Sequence, residues 1–237
     1  MTLQSIIDES RNIVFFGGAG VSTESGIPDF RSTDGLYNQK YDYPPEEILS
    51  HTFFCNNPAE FYRFYKDKML CLTAEPNAAH CKLSELEKAG RLSAVITQNI
   101  DGLHQKAGSK NVFELHGSVL RNYCTGCGKE FSAQYIISHD GVPRCDKCSC
   151  IIKPDVVLYE EGLDNETVSG ALEALASADC LIVAGTSLRV YPAAGFIKYF
   201  NGRHFVLINR DETPADSSAD LVIHTNVGQT LSKIIVK

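Results

Sequence analysis

The 237-residue chain is 43% hydrophobic and 22% charged, enough apolar material to bury a full core as one large domain or as a domain with an insertion. Its 22 basic and 29 acidic residues give a formal charge of −7, which argues against gripping nucleic acid or an anionic membrane as the main task. No run approaches the roughly 18 apolar residues of a membrane span, and Asp8 and Glu9 interrupt the apolar stretch that a signal peptide needs, so a soluble, cytoplasmic protein is expected.

In chain order, Thr2 caps a first helix reaching Ser10, and Asn12 to Phe16 is a compact apolar run ending in glycines, as a buried parallel strand does. Pro58, at a first-turn position, opens a helix to about Cys71, and a second runs from Ala78 to Ala89 and stops at Gly90. Strand-like runs follow at Ala94 to Thr97, Asn111 to Leu115, Cys180 to Ala184, Phe205 to Asn209 and Leu221 to Ile223. Helical patterns at Glu166 to Ser177, Ala193 to Phe200 and Gly228 to Ile235 connect or follow them. This alternation predicts an α/β fold with a Rossmann-like open parallel sheet and helices on both faces. Two segments do not alternate: Ser32 to Leu72, rich in Tyr and Phe, and Arg121 to Ile152, polar and cysteine-bearing. They predict a small domain inserted in a large one, with 1–34, 73–120 and 153–237 forming the nucleotide-binding domain and 35–72 and 121–152 the helical part and zinc module of the other.

Nine cysteines are an odd number, so they cannot all be paired as disulfides; metal binding or plain thiols fit better. Cys55, Cys71, Cys81 and Cys180 lie singly in apolar or helical patterns, where cysteine is usually a small buried hydrophobe. Cys124 and Cys127 form one C-x2-C pair and Cys145 and Cys148 another, 17 residues apart. That spacing suits a four-thiolate Zn²⁺ site, closed to catalysis and therefore structural. Cys150 is an alternative to Cys148, through the looser C-x4-C. With so small a core of its own, the segment draws its folding energy from metal binding, worth about 10 to 16 kcal/mol in zinc peptides.

The stretch after the first strand, GGAGVSTESGIPDFR, begins as a dinucleotide-binding turn. Gly18 and Gly20 let backbone approach a pyrophosphate whose charge rests on a following helix N-terminus. The third glycine of that fingerprint falls at Thr23, however, and a helix begun near Val21 cannot run far through Gly26-Ile27-Pro28. The chain turns back as a loop carrying Asp29, Phe30 and Arg31, groups suited to holding a nicotinamide ring, shielding a ribose C1′ from water and pairing with phosphate. Gln98-Asn99-Ile100-Asp101 and His116 each follow a strand, beyond the carboxyl ends where an open parallel sheet binds ligands.

The ordered set G-A-G-V-S…G-I-P-D-F-R, T-Q-N-I-D-G-L-H, E-L-H-G and paired cysteines, with Gly185-Thr186-Ser187 and Ile208-Asn209, resembles the sirtuins, NAD-dependent protein deacylases, over nearly the whole chain. The resemblance implies a cleft between a Rossmann-fold domain and a small zinc domain, where NAD as cosubstrate meets an acyl-lysine peptide. It implies that Ala19, Thr23, Arg31, Gln98 and Ser187, with Thr186 beside it, line the phosphate and ribose path, and that Asn209 and Val227 hold the adenosine end. Phe30, Ile100 and Asp101, with Asp29 on the same loop as Phe30, frame the nicotinamide pocket. Asn99 orients ribose or water, and His116 is the general base. Products would be nicotinamide, free lysine and O-acyl-ADP-ribose.

By the same resemblance the peptide adds as a strand between Val156 to Gly162 and Leu188 to Tyr191, the acyl-lysine passing Val157 and Phe30. Tyr159-Glu160-Glu161 stands where F-G-E is usual, so Glu160 is expected to restrict the backbone and to favour basic flanking residues. Tyr62-Arg63-Phe64-Tyr65 lacks the Arg of succinyl-preferring members, which favours neutral acyl groups, acetyl first. The rivals are an ADP-ribosyltransferase, an NAD-linked oxidoreductase and a noncatalytic zinc-ribbon adaptor.

Overall fold

The computed structural model describes residues 1–29 and 43–236. Six parallel strands, β1 (Ile13–Gly17), β2 (Leu92–Thr97), β3 (Val112–Glu114), β7 (Cys180–Ala184), β8 (His204–Ile208) and β9 (Leu221–Ile223), form a sheet in the order β3-β2-β1-β7-β8-β9. Every residue of β1 is buried, and its side chains alternate between two cores. Ile13 and Phe15 pack with α1 (Leu3–Glu9), α5 (Ala78–Lys88) and α9 (Val227–Leu231), whereas Val14 and Phe16 pack with α8 (Asn165–Ser177) and Phe196. Period-two alternation with apolar residues on both faces is why these strands read as continuous hydrophobic runs. The expected Rossmann-like sheet is present, with its order reversing at β1.

A third core joins α2 (Pro45–Ile48), α3 (His51–Asn56) and α4 (Pro58–Phe64) to a three-stranded antiparallel sheet, β5-β4-β6, made of β4 (Gly117–Cys124), β5 (Glu130–Ser132) and β6 (Ile152–Val156), and to α7 (Ala133–Ser138); α6 (Leu103–Lys106) packs instead on α5, with the His104 ring 4.7 Å from that of His80. Phe61, Tyr62 and Tyr65 are fully buried there; the Phe61 and Tyr65 rings stack 5.5 Å apart, and the Tyr62 hydroxyl donates to the Ile152 carbonyl. This sheet is absent from the sequence reading. Its strands are short, and β4 mixes buried and exposed residues across a register break between Ser118 and Asn122.

Three expected helices differ. The Pro58 helix leaves α geometry at Phe64 and continues as a wider turn over Tyr65–Met69, which brings Tyr65, Lys68 and Met69 to one cleft wall. The helix expected from Ala193 is a 3-10 segment, Ala193–Tyr199. The last helix ends at Leu231 rather than Ile235, tightening through bonds from the Lys233 amide to Thr230 (3.3 Å) and the Ile234 amide to Leu231 (3.0 Å).

Candidate active site

A cleft of about 500 Å³ opens between the parallel sheet and the third core, beyond the carboxyl ends of the strands, as such sheets dictate. The turn after β1 contributes Ala19, Thr23 and Asp29, and the segment after β2 contributes Gln98, Asn99, Ile100 and Asp101. His116 follows β3, Thr186 and Ser187 follow β7, Asn209 follows β8, and Val227 opens α9. Of the residues expected at the site, Phe30 and Arg31 lie outside the described residues, as does the start of the segment from Ser32.

His116 Nδ1 lies 2.9 Å from the Gln98 carbonyl oxygen. A carbonyl only accepts, so the proton sits on Nδ1 and Nε2 keeps its lone pair. Burial pushes the imidazole pKa below its ordinary value, and the Gln98 bond only partly reverses this. The ring is therefore a neutral base near pH 7. Beside it, Ser22 joins two of the expected residues: its Oγ donates to Asp101 Oδ2 at 2.7 Å and accepts from Asn99 Nδ2 at 3.0 Å. Asp101 Oδ1 accepts from the Leu103 amide at 2.9 Å. Thr186 Oγ1 accepts from Gln98 Nε2 at 3.3 Å and from the Leu188 amide at 3.2 Å.

The glycine turn also has a packing role that the sequence did not reveal. Among the described residues no full helix directly follows β1; two 3-10 turns, Ala19–Val21 and Thr23–Ser25, stand where its N-terminus would be, ended by Gly26 at φ 81°. A Cβ on Gly20 would lie 2.8 Å from Gly185 Cα, and one on Gly185 would lie 2.4 Å from the Val21 amide nitrogen. The missing side chains thus let two protein loops meet, joined by the Gly20 amide donating to the Gly185 carbonyl at 2.8 Å. The β1 and β7 loops become one rim.

On the opposite wall, the loop after β6 is tied to α3. The His51 amide donates to the Tyr159 carbonyl and the Tyr159 amide to the Leu49 carbonyl, each at 3.0 Å. Glu160 adopts φ 77°, the left-handed backbone that Gly favours, so the substitution does not prevent this conformation. Its carboxylate turns to the start of α3, accepting from the Thr52 amide at 2.9 Å and the Thr52 hydroxyl at 2.7 Å. Those bonds hold the acid below its usual pKa. Tyr65 lines the cleft with its hydroxyl unpartnered among the described residues.

Away from the cleft, the Sγ atoms of Cys124, Cys127, Cys145 and Cys148 all lie within 4.8 Å of one another; the Cys124–Cys148 and Cys127–Cys145 separations are 3.3 and 3.7 Å. Four sulfurs about 2.3 Å from one Zn²⁺ in a tetrahedron stand about 3.8 Å apart, so the donor set fits zinc. The Gly126 and Cys127 amides point at Cys124 Sγ and the Lys147 amide at Cys145 Sγ, each at 3.4 Å, which favours thiolates. Cys150 is not one of the four; its Sγ packs against Gly126.

The sequence pattern of the Sir2 family matches residues 18–192. The chain belongs to the Sir2 family. The NAD-dependent protein deacetylase of Clostridium acetobutylicum is 58% identical over 236 residues, covering 98% of this chain and 96% of that protein. That of Clostridium perfringens is also 58% identical, covering 98% and 97%. Among solved structures, Sir2 with a p53 peptide and NAD+ is 41% identical with a TM-score of 0.85, covering 98% of this chain and 96% of that one. Sir2 in complex with the inhibitor EX-527, 2′-O-acetyl-ADP-ribose and a deacetylated p53 peptide is 40% identical with a TM-score of 0.85, covering 96% and 94%.

In this Sir2-family chain, sequence reasoning overlooked the link that Ser22 makes, although the serine is part of the quoted G-A-G-V-S. It also overlooked Asn77, whose Nδ2 donates to the Val21 carbonyl at 2.8 Å and to Ser25 Oγ at 3.0 Å, bracing the turn from the start of α5. Nor did it foresee Glu24, which accepts from the Gly228 amide at 2.6 Å and ties the turn to α9. Among the described residues no helix is long and apolar enough to cross a membrane.

Proposed function

We propose that this chain is an NAD-dependent protein-lysine deacetylase of the cytoplasm that transfers the acyl group to ADP-ribose and releases nicotinamide. The observation that carries this reading is His116, a buried imidazole kept neutral with its proton fixed on Nδ1, in the same cleft as the Ser22–Asn99–Asp101 group. The donor set fits the cosubstrate: neutral amides and hydroxyls from Gln98, Asn99, Thr186 and Ser187 suit ribose hydroxyls and phosphate oxygens, and Asn209 and Val227, which line the same cleft, hold the adenosine. NAD when bound supplies an electrophilic ribose carbon whose leaving group is nicotinamide and whose nucleophile is the acyl oxygen, so the protein need supply none.

Each residue then has a task on its own atoms. Nε2 of His116 takes a ribose hydroxyl proton, and the Gln98 carbonyl keeps the ring in the tautomer that does so. Ser22 fixes the Asn99 amide and the Asp101 carboxylate, so both meet the ligand already oriented. Ile100 and Asp101, with Asp29 and Phe30, frame the nicotinamide end; Ala19, Thr23 and Arg31 lie along the phosphates. The peptide pairs with the loop at Val157 and with Leu188 to Tyr191. The acyl group enters between the sheet and Tyr65, with no arginine at that position for a distal carboxylate. The zinc site, closed by four thiolates, has no part in the chemistry and holds the β4-β5-β6 module to the helical segment, in line with a division at about 35–72 and 121–152.

Mass spectrometry of an acetyl-lysine peptide incubated with NAD tests the reading. Loss of acetyl with formation of O-acetyl-ADP-ribose, abolished in His116→Ala, is expected. ADP-ribose left on protein would support a transferase instead, NADH an oxidoreductase, and unchanged NAD an adaptor.

A further inference from the structure

Behind the cleft wall that Glu161 lines, Cys55, His51 and Glu161 have the arrangement of a nucleophile with its base. Cys55 and His51 stand one turn apart on α3, with Cys55 Sγ 3.4 Å from His51 Nε2. On the other side of the ring, His51 Nδ1 is 2.8 Å from Glu161 Oε1. The second oxygen of Glu161 accepts from Lys153 Nζ at 3.0 Å and from the Leu158 amide at 2.9 Å. Burial raises the Glu161 carboxyl, but the bonds from His51, Leu158 and Lys153 outweigh it and leave the group below the ordinary carboxylate value. It is ionised at neutral pH.

The proton positions follow. An ionised carboxylate only accepts, so His51 Nδ1 carries its proton and Nε2 accepts from the Cys55 thiol. A base within reach of a nucleophile, turned by a third group, is the pattern of an activated thiol. Cys55 is exposed, and the His51 side chain keeps 51% of its surface in solvent, so a small reagent reaches the sulfur. Transfer of the thiol proton to His51 as the new bond forms is what makes attack feasible.

We propose that Cys55 is a nucleophilic thiol, modified by small hydroperoxides, with His51 as its base and Glu161 orienting that base. The sulfur attacks the terminal oxygen of ROOH; the S–O bond forms as the O–O bond breaks. The thiol proton passes to His51 Nε2 and from there to the departing alkoxide, giving ROH. Sulfur is oxidised by two electrons to sulfenic acid and the peroxide is reduced by two. The reaction is independent of His116 and of NAD.

The test uses the zinc-loaded full chain, hydrogen peroxide as the probe and dimedone to trap sulfenic acid, with labelling at each cysteine followed by peptide mass spectrometry. Cys81, also exposed and with no imidazole beside its thiol among the described residues, is the internal reference. Cys55 is expected to label at least about tenfold faster than Cys81, of the order a positioned base supplies. His51→Gln should bring it to the Cys81 rate, and Glu161→Gln should lower it several-fold. Cys55→Ser, which removes the label, should leave deacetylation unchanged. Equal rates at Cys55 and Cys81 in the unaltered protein would overturn the proposal outright. So would a Cys55 rate indifferent to both His51→Gln and Glu161→Gln in protein that keeps its zinc.

Discussion

Replacing His104 by glutamine removes a ring that the fold holds uncharged, and the effect should be visible in how stability responds to acid. His104 is buried on α6, with the Phe15 ring 6.1 Å from it and the His80 ring 4.7 Å, and neither of its nitrogens has a hydrogen-bond partner among the described residues. Burial, with a smaller contribution from His80, pushes its pKa from 6.5 down to about 3. Between those values the unfolded chain binds a proton that the folded chain refuses. The stability this represents is therefore complete above pH 6.5 and drains away as the pH falls. Between pH 6 and pH 5 the unfolded ring is mostly protonated, and the native protein should lose about 1.2 kcal/mol more than His104→Gln. In a chain of this length that is about 2 to 5 °C in melting temperature. Urea or thermal unfolding of both proteins at pH 5, 6 and 7 measures it. Zinc release and the titration of His80, which burial also lowers against an opposing pull from Asp101, occur in both proteins and largely cancel in the comparison. Parallel stability curves would refute the reasoning.

His116→Ala should lower kcat by about two to four orders of magnitude while peptide binding survives; since burial depresses its pKa, the acidic limb of kcat/KM should lie below pH 6.5, and a limb centred above 7 would contradict the assignment. Chelation, or Cys145→Ala, should release one zinc per chain and lower the melting temperature sharply, because Cys124 and Cys145 are themselves part of the core shared with Phe61 and Tyr62; an unchanged melting curve after zinc loss, followed by circular dichroism, would count against a structural metal. At Glu160, glycine suits the left-handed backbone and alanine does not, while both lose the bonds to Thr52, so Glu160→Ala should melt lower than Glu160→Gly. The reverse order would show that the backbone at this position is not strained.

The parallel sheet was legible because its central strands are apolar runs with both faces covered; Cys180–Ala184 and Leu221–Ile223 were bounded to the residue. The four-cysteine cluster was legible because two C-x2-C pairs have few alternative explanations. The β4-β5-β6 sheet was not, since Asn122, buried at its centre with its Nδ2 donating to the carbonyls of Val119 and Phe131 at 3.3 Å, sends no apolar signal. Ser22 escaped notice for a related reason: its importance lies in two partners after β2, distant in sequence, and a serine after a glycine turn looks like any other. At Gly20 the sequence shows that a side chain is missing, but not that the Gly185 backbone stands against the space it leaves.

The order of the sheet constrains how the chain is made. β1 lies between β2 and β7, with Ile13 opposite both Leu92 and Cys180, and the zinc module's core draws on Phe53 and Phe61 as well as Ile152 and Leu158. A nascent polypeptide leaving the ribosome thus carries its central strand with one edge bare until Cys180 has emerged. Such distant pairing slows folding and leaves an adhesive strand edge exposed meanwhile, so products truncated before β7 should aggregate or be taken up by chaperones rather than persist as a smaller enzyme.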